Sequence, residues 1–441
     1  MPATINDNVF LLPHNGGYMV YAPLASRLVY ANANCATQLR SYLATGNAEE
    51  VSPEVRKQLG GLDWLASPRA PVPLPVDRHF HPNTVTLFLT NRCNLRCTYC
   101  YARAGEFDAC DMPAEIYRAA LELIIRNAQR SGQPVTVTFH GGGEPTLAWE
   151  SLVGAVEYAQ ELVKSHKIRG LHLGLSTNGT VSRDRAEYIA TTFSAVTVSF
   201  DGPPDVQNKQ RPHVNGGGSF EQVMSFIEVL RSHGVRFGIR STVTEVNVRR
   251  LEEMVDFFAE EVGCQQVHLE PVFLSGRCRE LPSYEEFAKT YLRAMDRTRG
   301  RKVALRFSGA RLEGVFSTFC GCALDPFNIT PEGDVTACYE VCSGQDPLSG
   351  SYFFGRFNRE RQRFEIDFGK LAKLRTLTVQ NKPLCTRCFA KWNCSGDCPV
   401  KSAQPSPELQ VETPRCRMIQ AINRALLEKT LQATLQGKHA A

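Results

Sequence analysis

Three closely spaced cysteines are the residues whose types and spacing most clearly permit chemistry in this chain. Cys93, Cys97 and Cys100, hereafter the triad, follow a CX3CX2C spacing, so one short loop offers three thiolates. A closed [4Fe–4S] cluster takes four cysteines, and three would leave one iron open for a substrate. Structural zinc sites also use four ligands, usually as paired short-spaced cysteines. The triad therefore favours an iron–sulfur cluster over zinc.

Composition bounds the class of protein. The chain has 441 residues, enough for two or three domains with sizeable cores, and ordinary fractions of hydrophobic and charged residues. The net charge of +5 is too small to indicate nucleic-acid binding, and no dense basic run appears. We expect no nucleic-acid partner.

Cysteine usage predicts a reducing compartment. Met1–Asp7 is polar, Val9–Leu12 is too short an apolar run for a signal peptide, and no stretch is long enough to span a membrane. Sixteen cysteines without an export signal point to metal or redox use rather than to disulfides. We expect a cytoplasmic protein with no membrane partner.

The elements that position the triad alternate between strand and helix from Thr84 to about Gly300. Amphipathic stretches such as Glu115–Arg130 separate short apolar runs. Six βα units predict an α/β fold, a partial (β/α)6 TIM barrel, because a full barrel needs eight. The predicted strands are Thr84–Thr90, Val135–His140, Leu171–Thr177, Val196–Phe200, Arg236–Val243 and Gln266–Val272.

Polar or glycine-rich segments follow the first four of these strands. The triad follows the first strand, and the run Gly141-Gly142-Gly143-Glu144-Pro145 follows the second. Ser176-Thr177-Asn178-Gly179 ends the third strand, and Ser199-Phe200-Asp201-Gly202 ends the fourth. Parallel barrels place their active sites at the carboxyl ends of strands, so we expect these segments to share one site.

The string from Cys93 to Cys100, with aromatic Tyr99 before the last cysteine, resembles the signature of the radical S-adenosylmethionine (SAM) superfamily. The resemblance implies that SAM binds the open iron and is cleaved reductively to a 5′-deoxyadenosyl radical. It also implies contacts for SAM: Gly142, Gly143 and Glu144 at the methionine amino group, Ser176, Asn178 and Asp201 at the ribose, Arg240 at the carboxylate and Tyr99 by the adenine.

A second set of cysteines lies near the carboxyl end of the chain. Cys385, Cys388, Cys394 and Cys398 follow a CX2CX5CX3C spacing, with Cys416 beyond them. Upstream, a gap of twelve residues separates Cys320 from the element Gly333-X4-Cys338. This seven-cysteine pattern resembles the SPASM extension of the radical SAM superfamily. Cysteine-only sets can also hold two zinc ions, but the triad upstream favours iron.

The SPASM resemblance implies two auxiliary [4Fe–4S] clusters, three clusters in all. Cys320, Cys338 and Cys398 would hold the first auxiliary cluster, and Cys385, Cys388, Cys394 and Cys416 the second. Cys322 and Cys342 are both candidates for the missing fourth ligand of the first, and otherwise one iron there would be open. Auxiliary clusters can accept the second electron of an oxidation, so oxidative chemistry is favoured over isomerisation.

Before Thr84 lies a separate segment. Val9–Leu12, Tyr18–Tyr21 and Leu28–Tyr30 read as strands, followed by helices at Ala36–Leu43 and Pro53–Leu65. This order resembles the winged-helix recognition element that binds leader peptides in pathways for ribosomally made, post-translationally modified peptides (RiPPs). An extension that only packs on the barrel is the alternative. We expect a recognition-like domain at 1–78, the barrel at 79–300, the SPASM domain at 301–418 and a packing helix at 419–441.

Together these resemblances predict a peptide maturase. The enzyme would be an oxidoreductase that cross-links a precursor peptide bearing a leader, with flavodoxin or ferredoxin as reductant. The alternatives are a formylglycine-generating anaerobic sulfatase maturase and a non-catalytic iron–sulfur electron-transfer protein. Sulfatase maturases carry an aspartate directly after the cysteine of the GX4C element, where this chain has Tyr339 and then Glu340. These two residues are our candidates for the catalytic base.

Overall fold

The computed structural model describes residues 8–65, 70–71, 79–402 and 412–437. The chain divides into two compact units made of discontinuous segments. Unit 1 comprises 1–73, 308–319 and 378–441, and unit 2 comprises 74–307 and 320–377. The proline-rich run Pro68–Pro75 predicts a linker, and it lies mostly outside the described residues. The four domain boundaries drawn from the sequence stay a prediction.

Unit 1 begins with a three-stranded antiparallel sheet of order β1-β2-β3. Its elements are β1 (Phe10–His14), β2 (Gly17–Ala22), β3 (Arg27–Ala31), α1 (Ala33–Thr45) and α2 (Pro53–Leu59). The three predicted strands and the first helix are confirmed. The second helix was predicted to reach Leu65, which is wrong, because Gly60 adopts a left-handed conformation (φ 68°) and its N–H caps α2.

Unit 2 contains the alternating strands and helices that the sequence predicted. They are β4 (Thr84–Leu87), α3 (Ala114–Ser131), β5 (Val135–Phe139), α4 (Trp149–Ser165), β6 (Leu171–Thr177), α5 (Arg183–Thr192), β7 (Ala195–Ser199), α6 (Pro204–Gln210), α7 (Phe220–Ser232), β8 (Phe237–Val243), α8 (Leu251–Phe257), β9 (Gln266–Pro271), α9 (Tyr284–Arg297) and β10 (Ala304–Arg306). Ser283 caps α9 by accepting a bond from the Glu286 amide, as its sequence pattern indicates.

Strands β4 to β10 form a parallel array in chain order, one strand more than predicted. On the far side of β4 the sheet continues through β11 (Asn328–Ile329), β12 (Asp334–Thr336), β13 (Phe353–Asn358) and β14 (Arg363–Ile366). The short helices α10 (Ser349–Tyr352) and α11 (Phe368–Arg375) complete this part. The α/β fold with a largely parallel, open sheet is confirmed.

Each parallel strand presents two different faces. In β8, Ile239, Ser241 and Val243 are buried, whereas Gly238, Arg240 and Thr242 on the other face are partly or largely exposed. The buried face packs on helices: Phe200, just after β7, contacts aromatic rings from α7 and α8. The other face, hereafter the lumen face, carries polar side chains and is the concave surface of the partial barrel.

The carboxyl-terminal part of unit 1 contains α12 (Lys391–Cys394) and α13 (Pro414–Leu435). Leu427 and Leu431 of α13 share a core cluster with Phe10, Met19 and Tyr21 from the amino-terminal sheet. The terminal helix is therefore confirmed and joins the two ends of the described chain in one core. No helix among the described residues is long and apolar enough to cross a membrane.

Candidate active site

The triad loop leaves β4 and pairs with the segment that follows α6. The Thr98 amide donates to the Gln210 carbonyl at 2.9 Å, and the Arg96 amide donates to the Pro212 carbonyl at 2.7 Å. Leu95 and His213 form an antiparallel bridge in the same register. This register fixes the loop and places Cys97 directly opposite the residue at position 211.

The triad thiols lie close enough for their charges to interact. Burial raises the pKa of Cys93 to about 11 and that of Cys97 to about 12, and the neighbouring charge of Cys100 adds to both increases. Thiols that resist ionisation, as those of Cys93 and Cys97 do, need a nearby cation to hold them as thiolates. Their number and environment therefore fit an iron–sulfur cluster.

The segment Gly141–Glu144, hereafter the glycine turn, packs against the triad loop. The amides of Gly143 and Glu144 donate to the carbonyls of Thr90 and Arg92, each at 2.8 Å. A Cβ on Gly143 would lie 2.0 Å from the Arg92 carbonyl oxygen, and Gly142 has a φ of 65°. Glycine is required here by close approach and by backbone conformation, and the turn offers bare backbone beside the triad.

Glu144 joins this turn to the segment after β6. Its carboxylate is buried and accepts bonds from the Thr146 amide, the hydroxyls of Thr146 and Thr177, and the Asn178 amide, at 2.7–3.2 Å. Burial raises the pKa of Glu144, and these hydrogen bonds act against the rise. The structure gives Glu144 an internal linking role, and its predicted contact with a methionine amino group stays a prediction.

Asn178 faces the triad loop. Its side-chain amide donates to the Asn94 side-chain oxygen at 2.9 Å and lies 3.9 Å from the Cys93 sulfur. The side-chain oxygen of Asn178 accepts hydrogen bonds from the backbone amide and the hydroxyl of Thr180. Ser176 is half-buried on the lumen face of β6. The roles of Ser176 and Asn178 at a ribose stay predictions.

Tyr99 and Asp201 belong to one buried network. The Tyr99 hydroxyl donates to the Asp201 carboxylate at 2.5 Å and accepts from Arg211 at 2.6 Å. Asp201 also accepts from the Thr242 amide and the Gln210 side chain. Burial raises the pKa of Asp201, whereas the Arg211 charge and these hydrogen bonds oppose the rise. Their predicted contacts with SAM stay predictions.

Arg240 lies on the lumen face of β8. Its side chain is exposed and makes no hydrogen bond or ion pair with the part of the chain that the structure describes. His268 of β9 is its partner in the register. Its guanidinium is thus available to an anionic group, which agrees with the predicted role of Arg240 at a carboxylate but does not test it.

Each of the two candidate bases, Tyr339 and Glu340, has an aromatic neighbour in unit 2. The Tyr339 ring stacks on His140 with 4.6 Å between ring centroids, and its hydroxyl is 3.3 Å from the Thr86 hydroxyl. Glu340 lies near Tyr101 and adds to the high pKa of that phenol. The sequence reasoning missed His140, although it directly precedes the glycine turn.

His140 is neutral near physiological pH. Burial, with the nearby charge of Arg240, lowers its pKa to about 4. Its Nδ1 is buried without a hydrogen-bond partner among the residues with described positions. The side chain therefore offers one free nitrogen beside Tyr339.

Residues 87–258 match the family model of the Radical SAM superfamily. Over these residues, which include β5 to β8, the chain is similar to radical SAM domains. Domains of this family bind SAM and one [4Fe–4S] cluster, which agrees with the triad geometry described above.

Curated relatives match parts of the chain. It is 30% identical over 184 residues to the cysteine-type anaerobic sulfatase-maturating enzyme of Clostridium novyi, covering 39% of this chain and 46% of that protein. It is 29% identical over 209 residues to the pre-heme d1 synthase of Dinoroseobacter shibae, covering 47% and 48%. The chain thus spans about half the length of these relatives.

Solved structures share the fold at low identity. The structure of native anSMEcpe with bound AdoMet has a TM-score of 0.65 and 20% identity, covering 80% of this chain and 100% of that chain. Streptococcus suis SuiB bound to precursor peptide SuiA has a TM-score of 0.53 and 14% identity, covering 93% and 98%. At these identities the likeness shows the fold alone.

Cys342 lies beside the triad and the glycine turn. Burial raises the pKa of its thiol to about 12, the charge of Cys100 adds to the rise, and the Gly142 amide opposes it as a hydrogen-bond donor. Cys322 is buried, Cys338 is half-buried and Cys320 is exposed. The assignment of these residues and buried Cys398 to the first auxiliary cluster stays a prediction.

Four cysteines of unit 1 lie close to one another. The charges of Cys385, Cys388 and Cys416 all act on Cys394, whose pKa burial raises well above its usual value. The Asp397 amide donates to the Cys394 sulfur at 3.1 Å. These are the four residues predicted to hold the second auxiliary cluster, hereafter the unit 1 cysteine set.

No three histidine, cysteine, aspartate or glutamate side chains of the described ranges converge on a point suited to a single metal ion. Each thiolate of an iron–sulfur cluster binds a different iron, so its ligands need not converge in this way.

Proposed function

We propose that this protein is a radical SAM/SPASM peptide maturase that oxidatively modifies a ribosomal precursor peptide, most simply by forming a carbon–carbon or thioether cross-link. The observation that carries the proposal is the unit 1 cysteine set. Besides the triad, these four neighbouring thiols would hold a second iron–sulfur cluster that can take up an electron. A hydrogen abstraction needs one cluster, whereas a cross-link also requires removal of a second electron.

Several groups of unit 2 would have separate roles at the site of the triad. The triad would hold the cluster, and SAM bound there supplies a radical that abstracts a hydrogen atom from the substrate. The glycine turn presents backbone groups beside the triad, and Glu144 fixes that turn to the Asn178 segment. Arg240 offers a positive charge on the lumen face. These groups bind and orient, which is the protein's part in cofactor chemistry.

A peptide substrate is supported by the amino-terminal part of unit 1. The order of strands β1–β3 followed by α1 and α2 agrees with the layout of a leader-peptide recognition element. The likeness to SuiB, which was solved with precursor peptide SuiA, extends over 93% of this chain, whereas that to anSMEcpe extends over 80%. A cytoplasmic location and an external flavodoxin or ferredoxin as reductant belong to the same proposal.

Tyr339 and Glu340 are the candidate bases within this function. The Tyr339 hydroxyl lies 3.3 Å from the Thr86 hydroxyl, and its ring stacks on neutral His140. Removal of a proton from a substrate radical would therefore involve the Glu340 carboxylate or the Tyr339 phenol beside His140, rather than an aspartate.

A sulfatase-maturase-like activity is the second candidate. The match to the Clostridium novyi enzyme favours it, and Tyr339 at the position expected for aspartate weighs against it. A protein that only transfers electrons would need neither the glycine turn nor the Asn178 segment.

The first experiment measures 5′-deoxyadenosine from anaerobically reconstituted, reduced protein with SAM. We expect formation of this product, and its loss on replacing each triad cysteine by alanine, while the iron of the unit 1 cysteine set remains. Cys110→Ala, which removes a half-buried thiol outside both sets, is the matched control. Product formed without the triad would contradict the assignment.

The second experiment identifies the modification. The protein is incubated with a candidate precursor peptide, taken from a short open reading frame beside its gene, and the peptide is analysed by mass spectrometry. Loss of two hydrogens per modification is expected for a cross-link. An unchanged peptide mass with robust SAM cleavage would contradict the proposed function.

A further inference from the structure

Arg211 stands directly opposite Cys97. Three backbone bonds pair residues 94, 96 and 98 with residues 214, 212 and 210, so that 97 falls opposite 211. Because hydrogen-bonded pairs lie on either side, at 96/212 and 98/210, Cys97 and Arg211 form a non-hydrogen-bonded pair. In such a pair the Cα atoms are about 4.5 Å apart and the side chains are closer than in the bonded pairs.

The guanidinium of Arg211 is buried and held in place. Only 8% of the residue is exposed. Its Nη1 donates to the Tyr99 hydroxyl at 2.6 Å, and the Tyr99 hydroxyl in turn donates to Asp201. Among the described residues, no direct ion pair joins Arg211 to Asp201. The charge is thus fixed through a phenol rather than cancelled by a carboxylate in contact.

One donor of this guanidinium lacks a partner. The Nε atom is buried and makes no hydrogen bond within the described chain. A buried donor without a partner is unfavourable, and more so on a charged group. Cys97 is the thiol on which the Arg211 charge acts most strongly. The missing partner is therefore expected on the Cys97 side.

We propose that Arg211 acts through Cys97 to set the reduction potential of the cluster held by the triad, favouring its reduced state. The inference rests on the proposed function, in that the triad holds an iron–sulfur cluster. A cluster gains one negative charge on reduction, and a fixed buried cation beside its ligand lowers the energy of that state. Net charge and hydrogen bonds to sulfur are established determinants of cluster potential.

Tyr99 and Asp201 serve this arrangement as positioning residues. The phenol holds the guanidinium at one end, and Asp201 is itself fixed by the Thr242 amide and Gln210. Removing the phenol hydroxyl should leave the arginine charged but less firmly placed. Its effect on the potential should therefore be smaller than that of removing the charge.

The test is an anaerobic redox titration of the full reconstituted chain, followed by electron paramagnetic resonance. The signal of the triad cluster is identified by its change on adding SAM. Arg211→Gln should lower the ratio of reduced to oxidised cluster at least tenfold at a fixed potential, a shift of about 59 mV to lower midpoint for one electron. Arg211→Lys and Tyr99→Phe should give smaller shifts in the same direction.

Arg183→Gln, on a side chain that is 78% exposed, is the matched control and should leave the midpoint unchanged. An unchanged midpoint in Arg211→Gln with full iron content would overturn the inference, as would a loss of SAM affinity alone. If Arg211→Gln does not fold, the lysine and phenylalanine variants decide by the same readout. If the wild-type protein shows no signal that responds to SAM, the proposed function itself fails.

Discussion

Glu144 and Arg211 are both buried charged residues next to the triad loop, and they differ in how their polar atoms are satisfied. The Glu144 carboxylate accepts four hydrogen bonds from groups on two segments. Arg211 keeps a buried donor without a partner. A fully satisfied group indicates a role within the fold, whereas an unsatisfied one indicates a ligand that completes it. This contrast separates structural from functional charges at the residue scale.

Glu144→Gln tests the linking role of the carboxylate. An amide offers one acceptor oxygen, so its nitrogen would face a donor such as the Asn178 amide. We expect a loss of about 1–3 kcal/mol in the free energy of unfolding and weaker SAM binding, measured by urea titration and equilibrium dialysis. Glu150→Gln, on exposed α4 surface, is the control. Wild-type stability and affinity in Glu144→Gln would contradict this role.

His140 predicts a pH dependence of stability. Its pKa falls from an ordinary 6.5 to about 4 in the folded protein, so between these values the unfolded chain binds more protons. The stability contribution is complete above pH 6.5 and is lost as the pH falls through the folded pKa. Wild-type protein should lose about 2 kcal/mol from this group between pH 7 and pH 5.

Urea unfolding at these two pH values measures the effect. His140→Phe keeps a ring for stacking on Tyr339 but cannot titrate, so its stability should change less with pH than that of the wild type. His166→Gln, at an exposed histidine, should behave as the wild type does. Identical pH dependence in His140→Phe and wild-type protein would show that His140 is not held neutral by its surroundings.

At the scale of elements, what the sequence predicts depends on local pattern. The β4–β9 strands were predictable because each is a short apolar run, and polar or glycine-rich segments follow the first four of them. Ala304–Arg306 was missed because three residues carry too little periodicity to mark a strand. Cys97 and Arg211 face each other because two segments more than a hundred residues apart pair. Neither segment, taken alone, indicates this pairing.

Gly143→Ala tests whether the glycine turn must contact the triad loop. The new Cβ would lie 2.0 Å from the Arg92 carbonyl oxygen, and because backbone cannot yield as a side chain can, one loop must shift. We expect a loss of about 1–3 kcal/mol in stability and reduced iron retention by the triad. Both are measured on the same preparation, by denaturant titration and iron analysis.

Gly344→Ala is the matched control, because a Cβ there would meet nothing within 4 Å. Its stability should lie within about 0.5 kcal/mol of the wild type. If Gly143→Ala were equally well tolerated, the close approach of the turn to the triad loop would not matter for function.

At the scale of the whole molecule, the compact units do not follow chain order. Unit 1 unites the amino-terminal sheet with the cysteine-rich carboxyl-terminal segment. The Tyr21 hydroxyl donates to the Asn393 side chain at 2.8 Å, next to Cys394. Helix α13 carries Cys416 near its start and, further along, the leucines that pack on the sheet. The amino-terminal sheet and the unit 1 cysteine set are thus parts of one folded body.

Leu427→Ala probes the shared core of that body. Leu427 is 3% exposed and packs with Phe10, Met19 and Tyr21. Truncating a buried leucine costs about 2–5 kcal/mol through lost burial and a residual cavity. Denaturant titration should show this loss, and iron analysis should show weaker retention by the unit 1 cysteine set. Leu435→Ala, 66% exposed on the same helix, should change neither.

Deletion of residues 1–65 has a consequence that a test of leader binding must consider. The truncation removes Phe10, Met19 and Tyr21 from the core that holds α13, and with α13 it loosens Cys416. We expect the truncated protein to lose the iron of the unit 1 cysteine set while the triad, which lies in unit 2, keeps its own. Iron content and the SAM-responsive resonance signal distinguish the two losses.

Arg27→Glu, at an exposed position on β3, leaves this core intact and is therefore the better probe of peptide binding. Full iron content in the truncated protein would mean that the sheet is dispensable for the cysteine set, and that leader recognition could be studied by deletion after all.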